Sequence, residues 1–135
     1  MKFIMLILLS SLFCMAHANE LTPFKSDGCS IFPDGTIAVK DLWLDCCIEH
    51  DKAYWQGGTY KEKVTADENL KRCVINIGEP KIAALMKAGV DVGGSAYLPT
   101  PFRWGYGWGY SRGYKPLTAI ELEKINSELM KEASQ

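Results

Sequence analysis

The sequence predicts a mainly α-helical domain with long loops, stabilised by disulfide bonds and built around two antiparallel helices. Three observations lead to this fold class. Apolar residues recur at spacings of three and four in several stretches, which is typical of amphipathic helices. Segments rich in glycine and proline separate these stretches. Four of the 5 cysteines follow a signal-like N-terminus, and exported proteins form disulfides readily.

The N-terminal residues have the features of a secretory signal peptide. Lys2 gives a positively charged start, residues 3–13 are almost entirely apolar, and Ala16-His17-Ala18 fits the small-x-small pattern of a cleavage site. The apolar run is too short for a confident transmembrane helix. We therefore expect a signal peptide at 1–18, one domain at 19–135, and secretion to the extracellular space or the periplasm.

The cysteines of the mature chain restrict the possible cross-links. Removing the first 18 of 135 residues leaves 117, enough for one domain with a modest core that benefits from covalent cross-links. Cys14 is lost with the signal peptide. Adjacent cysteines are poorly placed to pair with each other, so only two of the three connectivities remain for the following residues: Cys29, Cys46, Cys47 and Cys73.

The first half of the mature chain predicts one loop followed by two helices. Residues 19–36 are rich in glycine, proline and aspartate, which indicates an ordered loop. A helix fits residues 37–55. A second helix is expected over residues 65 to about 77, because Thr65 and Glu68 have the spacing of a capping box.

The second half predicts two more helices separated by an aromatic segment. Residues 80–90 fit a shorter amphipathic helix. Residues 93–114 are rich in glycine, proline and aromatic residues and show no helical period. Thr118 and Glu121 have the spacing of another capping box, which predicts the start of a last helix.

The overall charge gives no reason to expect a nucleic-acid partner. The chain has 15 basic and 16 acidic residues and a formal net charge of -1. Proteins that bind nucleic acid usually concentrate positive charge on one surface. We expect no nucleic-acid binding.

The first predicted helix carries a histidine next to an aspartate. His50 and Tyr54 share one helix face, whereas Asp51 points about 100° away. If a disulfide joins this helix to the second one and the two run antiparallel, Asp67 reaches the level of His50. A histidine oriented by one carboxylate, beside a second carboxylate that can hold a hard cation, suits acid–base catalysis. The alternative is a buried histidine bonded to a backbone carbonyl and an Asp51 that is an ordinary surface charge.

The stretch CCIEHDKAY, followed by ADENLKRC, resembles the active-site helices of secreted, calcium-dependent phospholipases A2. The family signature is C-C-x-x-H-D-x-x-Y, with a second aspartate six residues before a helix cysteine, as Asp67 lies before Cys73. The resemblance implies that His50 is the general base that takes a proton from water. It also implies that Asp67 holds the other ring nitrogen and that Tyr54 belongs to the same hydrogen-bond network.

The resemblance further implies a phospholipase A2-like fold and a disulfide pairing. In that pairing Cys29 bonds to Cys47, and Cys46 bonds to Cys73. Both bonds agree with the restriction that adjacency places on the four cysteines.

The same resemblance implies a calcium site formed by Asp51, Asp27 and the carbonyl of Gly28. The stretch from Asp27 to Asp34 lacks the glycine-rich loop of vertebrate members and is more similar to the D-x-C-x-x-x-P-D stretch of prokaryotic and fungal members. Hard oxygen ligands of this kind suit calcium. The alternative for the loop alone is an Asx-type turn that leads into a disulfide.

Zinc is a second possible metal. Its ligands would be Cys29, Cys47, His50 and Cys73. An oxidising compartment removes free thiolates, and the spacing of these residues resembles no common zinc pattern.

The aromatic stretch over residues 97–110 has two interpretations. Aromatic rings beside arginines suit a membrane interface, and on this interpretation Phe102, Trp104 and Trp108 contact membrane or substrate. The alternative is that the rings close a small helical core and that the glycines form the turns.

Together these patterns predict a secreted, calcium-dependent hydrolase that cleaves a fatty-acyl ester of glycerophospholipids at a phospholipid membrane surface. The alternative is a non-catalytic phospholipase A2-like protein that binds lipid or protein. A third hypothesis is a structural protein that uses the aromatic segment as an adhesive surface.

Overall fold

The computed structural model describes residues 20–134 and is mainly helical, without a strand in that range. The predicted signal peptide, residues 1–18, lies outside the described residues. A single turn of 3-10 helix spans Tyr110–Arg112. The four α-helices are α1 (Leu44–Gln56), α2 (Tyr60–Asn76), α3 (Pro80–Gly93) and α4 (Ala119–Ala133).

Both disulfides form as the family resemblance implied. Cys29 bonds to Cys47, and Cys46 bonds to Cys73. The first bond ties the N-terminal loop to α1, and the second joins α1 to α2. Because all four sulfurs are used in these bonds, the alternative of a zinc site with cysteine ligands is wrong.

Within residues 20–134, none of the helices has both the length and the apolar composition of a membrane-spanning segment.

The helix α1 begins at Leu44, seven residues later than predicted. A local turn competes with the helix here, because the amide of Thr36 donates to the carbonyl of Val39 (2.8 Å) and the amide of Val39 donates to the Thr36 hydroxyl (3.0 Å). Ile37 is fully exposed, so no packing draws this stretch into the helix. Threonine side chains often stabilise such turns at the expense of a helix.

The helix α2 begins at Tyr60, so the predicted start at Thr65 is wrong. The capping box is formed by Thr59 and Glu62, which have the same spacing as Thr65 and Glu68. Thr65 lies inside the helix, where its hydroxyl donates to the carbonyl of Lys61 (3.0 Å). The predicted capping box of Thr118 and Glu121 does open α4.

The first three helices form the main core. The helices α1 and α2 run antiparallel, since Cys46 bonds to Cys73 near one end while Tyr54 contacts Asp67 further along. The helix α3 folds back along α2 after a short turn. The buried side chains of this core are Trp43, Cys46, Cys47, Leu70, Val74, Ala83 and Met86.

The aromatic segment lies in the connection between α3 and α4. Residues of this connection cap the C-terminal end of α1. Carbonyl groups in the last turn of a helix lack partners within the helix. The amide of Gly105 donates to the backbone carbonyl of Tyr54 (2.6 Å), and the amide of Gly107 donates to that of Trp55 (3.2 Å). The indole of Trp108 donates to the backbone carbonyl of Gln56 (2.8 Å). The segment thereby satisfies the three terminal carbonyls of α1.

The two tryptophans of this segment belong to the interior. Trp104 is 3% exposed and Trp108 is 2% exposed, and the Trp104 indole donates to the carbonyl of Gly58 (2.9 Å). For these two rings, the burial agrees with the interpretation in which the aromatic side chains close the core. Direct membrane contact by Trp104 or Trp108 does not agree with their burial.

The helix α4 packs against α1 and the aromatic segment through apolar contacts and an ion pair. Ile125 packs with Trp55 and Trp108. Arg112 forms a two-pronged ion pair with Glu121, whose second contact is 3.1 Å, and its guanidinium lies over the Trp108 ring. The hydrogen bond from Arg112 is the main cause that lowers the pKa of Glu121 from 4.5 to about 2.

Replacing Glu121 with Gln tests this ion pair. Glutamine keeps the capping-box geometry but removes the charge, so we expect a loss of roughly 1.5–3 kcal/mol in the free energy of unfolding at neutral pH. A carboxyl whose folded-state pKa is lowered contributes its full stability only above its unfolded-state pKa. The difference from the parent protein should therefore shrink as pH falls from 4.5 towards 2.

Urea unfolding at a series of pH values measures this effect. Glu123→Gln, an exposed position on the same helix, serves as the matched control and should change stability little. A difference for Glu121→Gln that stays constant with pH would contradict the assignment.

Candidate active site

His50 and Asp67 meet in the interior between α1 and α2. The Nε2 atom of His50 lies 2.9 Å from Oδ1 of Asp67. Asp67 is fully buried, and the side chain of His50 is 7% exposed. Because an ionised carboxylate only accepts hydrogen bonds, it favours the tautomer with the proton on Nε2. This tautomer leaves the Nδ1 lone pair of His50 available as a base.

Two further side chains bind the same carboxylate. The hydroxyl of Tyr54 donates to Oδ1 of Asp67 (2.7 Å), and Lys63 Nζ donates to Oδ2 (2.7 Å). Lys63 also donates to the carbonyl of Val90 on α3 (3.1 Å). The Asp67 carboxylate therefore links all three core helices.

The contacts of Asp67 determine its protonation. Burial by itself would raise the pKa of this carboxyl, but hydrogen bonds from His50, Lys63 and Tyr54 outweigh that effect and hold the pKa below its ordinary value. Burial, together with the adjacent Asp67, raises the pKa of Tyr54 far above its ordinary value. Tyr54 therefore remains a neutral hydrogen-bond donor at all physiological pH values.

The prediction from the sequence overlooked Lys63. It lies four residues before Asp67, and Lys63, Asp67, Leu70 and Val74 follow one another at spacings of three and four on the buried face of α2. A lysine within such a stripe, one turn away from an aspartate, is the signal that could have identified it.

Asp51 is also buried, although it points away from the His50 pair. It is 9% exposed, and burial raises the pKa of its carboxyl to about 6. The hydroxyl of Ser26 donates to Oδ2 of Asp51 (2.6 Å), and the backbone of Asp27 also donates to this carboxyl. The alternative that Asp51 is an ordinary surface charge is therefore wrong.

The loop before Cys29 places a second carboxylate near Asp51. Asp27 is exposed, accepts a hydrogen bond from Ser30 (2.9 Å), and adds negative potential that contributes to the raised pKa of Asp51. Gly28, which follows Asp27, has a φ of 74°. A Cβ atom on Gly28 would lie 2.5 Å from Oδ1 of Asp34, so only glycine fits this position.

Asp34 determines the shape of the loop. Its Oδ1 atom accepts the backbone amide of Cys29 (2.8 Å). This contact holds the stretch from Gly28 to Asp34 closed around the disulfide. The Asp34 carboxylate therefore stabilises the conformation of the loop.

The donors around Asp51 fit a hard divalent cation. Two neighbouring carboxylates and backbone carbonyls are the oxygen ligands that calcium prefers, with water completing the shell. The salt bridges of residues 20–134 do not include Asp51, so its buried charge lacks a paired cation there. No three His, Cys, Asp or Glu side chains come together as a metal site in this range. A cation would therefore depend on Asp51, Asp27 and backbone oxygens such as that of Gly28.

A cavity of about 400 Å³ opens next to these groups. His50, Asp51 and Tyr54 belong to its lining. Much of the rest of the lining is apolar and comes from the N-terminal loop, α2, α3 and the aromatic segment. The apolar side chains that line it are Ile31, Phe32, Leu70, Leu85, Met86, Val90 and Phe102. Of the three aromatic residues predicted to contact membrane or substrate, only Phe102 borders this cavity.

Replacing Lys63 with Met tests the contacts of the buried carboxylate. Removing one partner of a buried ion pair leaves the other charge poorly compensated, so we expect a loss of about 3–5 kcal/mol in the free energy of unfolding. Urea unfolding at neutral pH measures it. Lys61→Met, at an exposed position on the same helix, should have little effect, and equal stability of the two variants would contradict the prediction.

Comparison with known proteins assigns no family to the chain. No protein-family model, curated protein or solved structure matches it. The function proposed below therefore rests on the contacts of the site and on the sequence motif.

Proposed function

We propose that the protein is a secreted, calcium-dependent hydrolase of the phospholipase A2 type, with a phospholipase A2-like fold. The observation that carries the proposal is the His50–Asp67 pair, whose histidine lines a largely apolar cavity. A base beside an apolar groove suits a substrate with a reactive ester and a long hydrocarbon chain. The resemblance of the α1 and α2 motifs to the family supports the same activity.

Each residue of the site has a distinct role in the proposed reaction. His50 accepts a proton from water at Nδ1, and Asp67 stabilises the resulting imidazolium through Nε2. Tyr54 and Lys63 hold Asp67 in place from two sides. These fixed contacts keep the imidazole ring oriented throughout the reaction.

Asp51, Asp27 and the carbonyl of Gly28 are the groups that would hold calcium. A bound calcium would supply a positive charge that polarises an ester carbonyl and favours negative charge on its oxygen. Asp51 directly follows His50 in the sequence, and both line the same cavity. The base and the groups that would hold the cation could therefore act on one reacting group.

Release of fatty acid from phospholipid vesicles tests the activity. The purified protein should release fatty acid in the presence of calcium and lose this activity with a chelator. His50→Gln should reduce the rate by about 100-fold or more, because general base catalysis contributes that much. Glutamine can still donate to Asp67, so the melting temperature should change little. Full activity of His50→Gln would exclude His50 as the base.

Asp51→Asn tests the cation site independently of turnover. We expect calcium to raise the melting temperature of the parent protein and to raise that of the variant much less, because the substitution removes one of the two negative charges of the ligand set and calcium affinity depends on ligand charge. Asp45→Asn, at an exposed position in the first turn of α1, is the matched control. An unchanged calcium titration of Asp51→Asn would remove Asp51 from the ligand set.

A further inference from the structure

Two glycines of α3 lie on the cavity wall without a structural reason for being glycine. Gly89 and Gly93 are one helical turn apart, and both line the cavity. Neither has a positive φ. A Cβ atom added to either would find no atom within 4 Å. Backbone conformation and packing therefore explain neither residue.

Gly94, the next residue, is by contrast a glycine that close packing requires. A Cβ atom there would lie 2.2 Å from the Tyr54 hydroxyl and 2.7 Å from the carbonyl of Val90. Gly94 is required for close packing against the His50–Asp67 network. Gly89 and Gly93 instead border open space, and that space is the cavity.

Glycine within a helix is unfavourable because it loses the most backbone freedom on folding. Gly89 lies inside α3 and Gly93 is its last residue, so this cost falls mainly on Gly89. What both glycines provide is width in the groove. Alanine at either position would extend a methyl group into the groove. Leucine would fill part of it.

The lining of the groove combines two kinds of chemistry. It includes His50, whose side chain is 7% exposed and whose Nδ1 atom forms no hydrogen bond within residues 20–134. It also includes apolar side chains such as Leu70, Met86 and Phe102. A molecule that fits this lining combines a polar, reactive group with an alkyl chain.

We propose that Gly89 and Gly93 are specificity-determining residues that keep the groove open for a single alkyl chain of an acyl lipid. The alkyl chain lies against the exposed backbone of α3 between these glycines. The assignment of the chain to a hydrolysed ester rests on the proposed function. Binding of an alkyl chain to the groove does not require turnover.

Calorimetric titration with monomeric decylphosphocholine, a single-chain amphiphile, tests the groove. The parent protein should bind it, and Gly89→Leu and Gly93→Leu should bind it about tenfold or more weakly, since each excluded methylene reduces affinity roughly fourfold. Ala88→Leu, an exposed neighbour that does not line the cavity, is the matched control. It should bind like the parent.

Alanine variants give a second measurement that does not depend on tolerance of leucine. Gly89→Ala and Gly93→Ala should raise the melting temperature, because alanine is the better helix former and meets no atom. They should also shift hydrolysis towards phospholipids with shorter acyl chains, measured across a series of chain lengths. Ala88→Gly should lower the melting temperature and leave the chain-length profile unchanged.

The possible results separate this inference from the proposed function. If the parent binds decylphosphocholine but releases no fatty acid from vesicles, and the leucine variants lose binding, the hydrolase proposal fails and the groove inference stands. If the parent hydrolyses phospholipid while all glycine variants keep its binding and its chain-length profile, the inference is overturned and the hydrolase proposal stands. Absence of decylphosphocholine binding by the parent also overturns the inference.

Discussion

The fully buried carboxylate of Asp67 is the constraint on which the site and much of the core depend. An unpaired charge in the interior is strongly unfavourable, so Asp67 requires partners on every accessible side. It finds them in His50 and Tyr54 on α1 and in Lys63 on α2. Lys63 then reaches a carbonyl of α3. The relative positions of the three helices and the orientation of the imidazole thus have one common cause.

The residues that share a helix face at the site could be predicted from the sequence, because regular spacing determines them. The starts of the helices could not, because several residues near each start can form a cap or a turn. Spacings of three and four placed His50 and Tyr54 on one face of α1, and antiparallel pairing brought Asp67 beside them. The start of α2 was missed because Thr59 and Thr65 both precede a glutamate by three residues. The start of α1 was missed because one threonine stabilises a turn that a helical pattern does not reveal.

Lys63 and the aromatic segment show a second limit of prediction from the sequence. The role of these residues depends on partners that lie far away along the chain or on other helices. A lysine on an amphipathic helix is normally exposed, and only the position of Asp67 and Val90 explains its burial. The sequence around the tryptophans shows no helical period, so it did not predict whether their side chains point inwards or outwards. The Trp108 indole and the amides of Gly105 and Gly107 satisfy carbonyls at the end of α1, about fifty residues earlier, and the Trp104 indole donates to the carbonyl of Gly58 just after that helix.

This distant capping has a consequence for the order in which the molecule matures. The last turn of α1 carries Tyr54, and the donors that complete it arrive only with residues 104–108. Contacts this far apart along the chain form late in folding. We expect a growing polypeptide to hold the histidine helix incompletely ordered until most of the domain has been synthesised. The contact between His50 and Asp67 would then reach its final geometry only once the donors from residues 104–108 are in place.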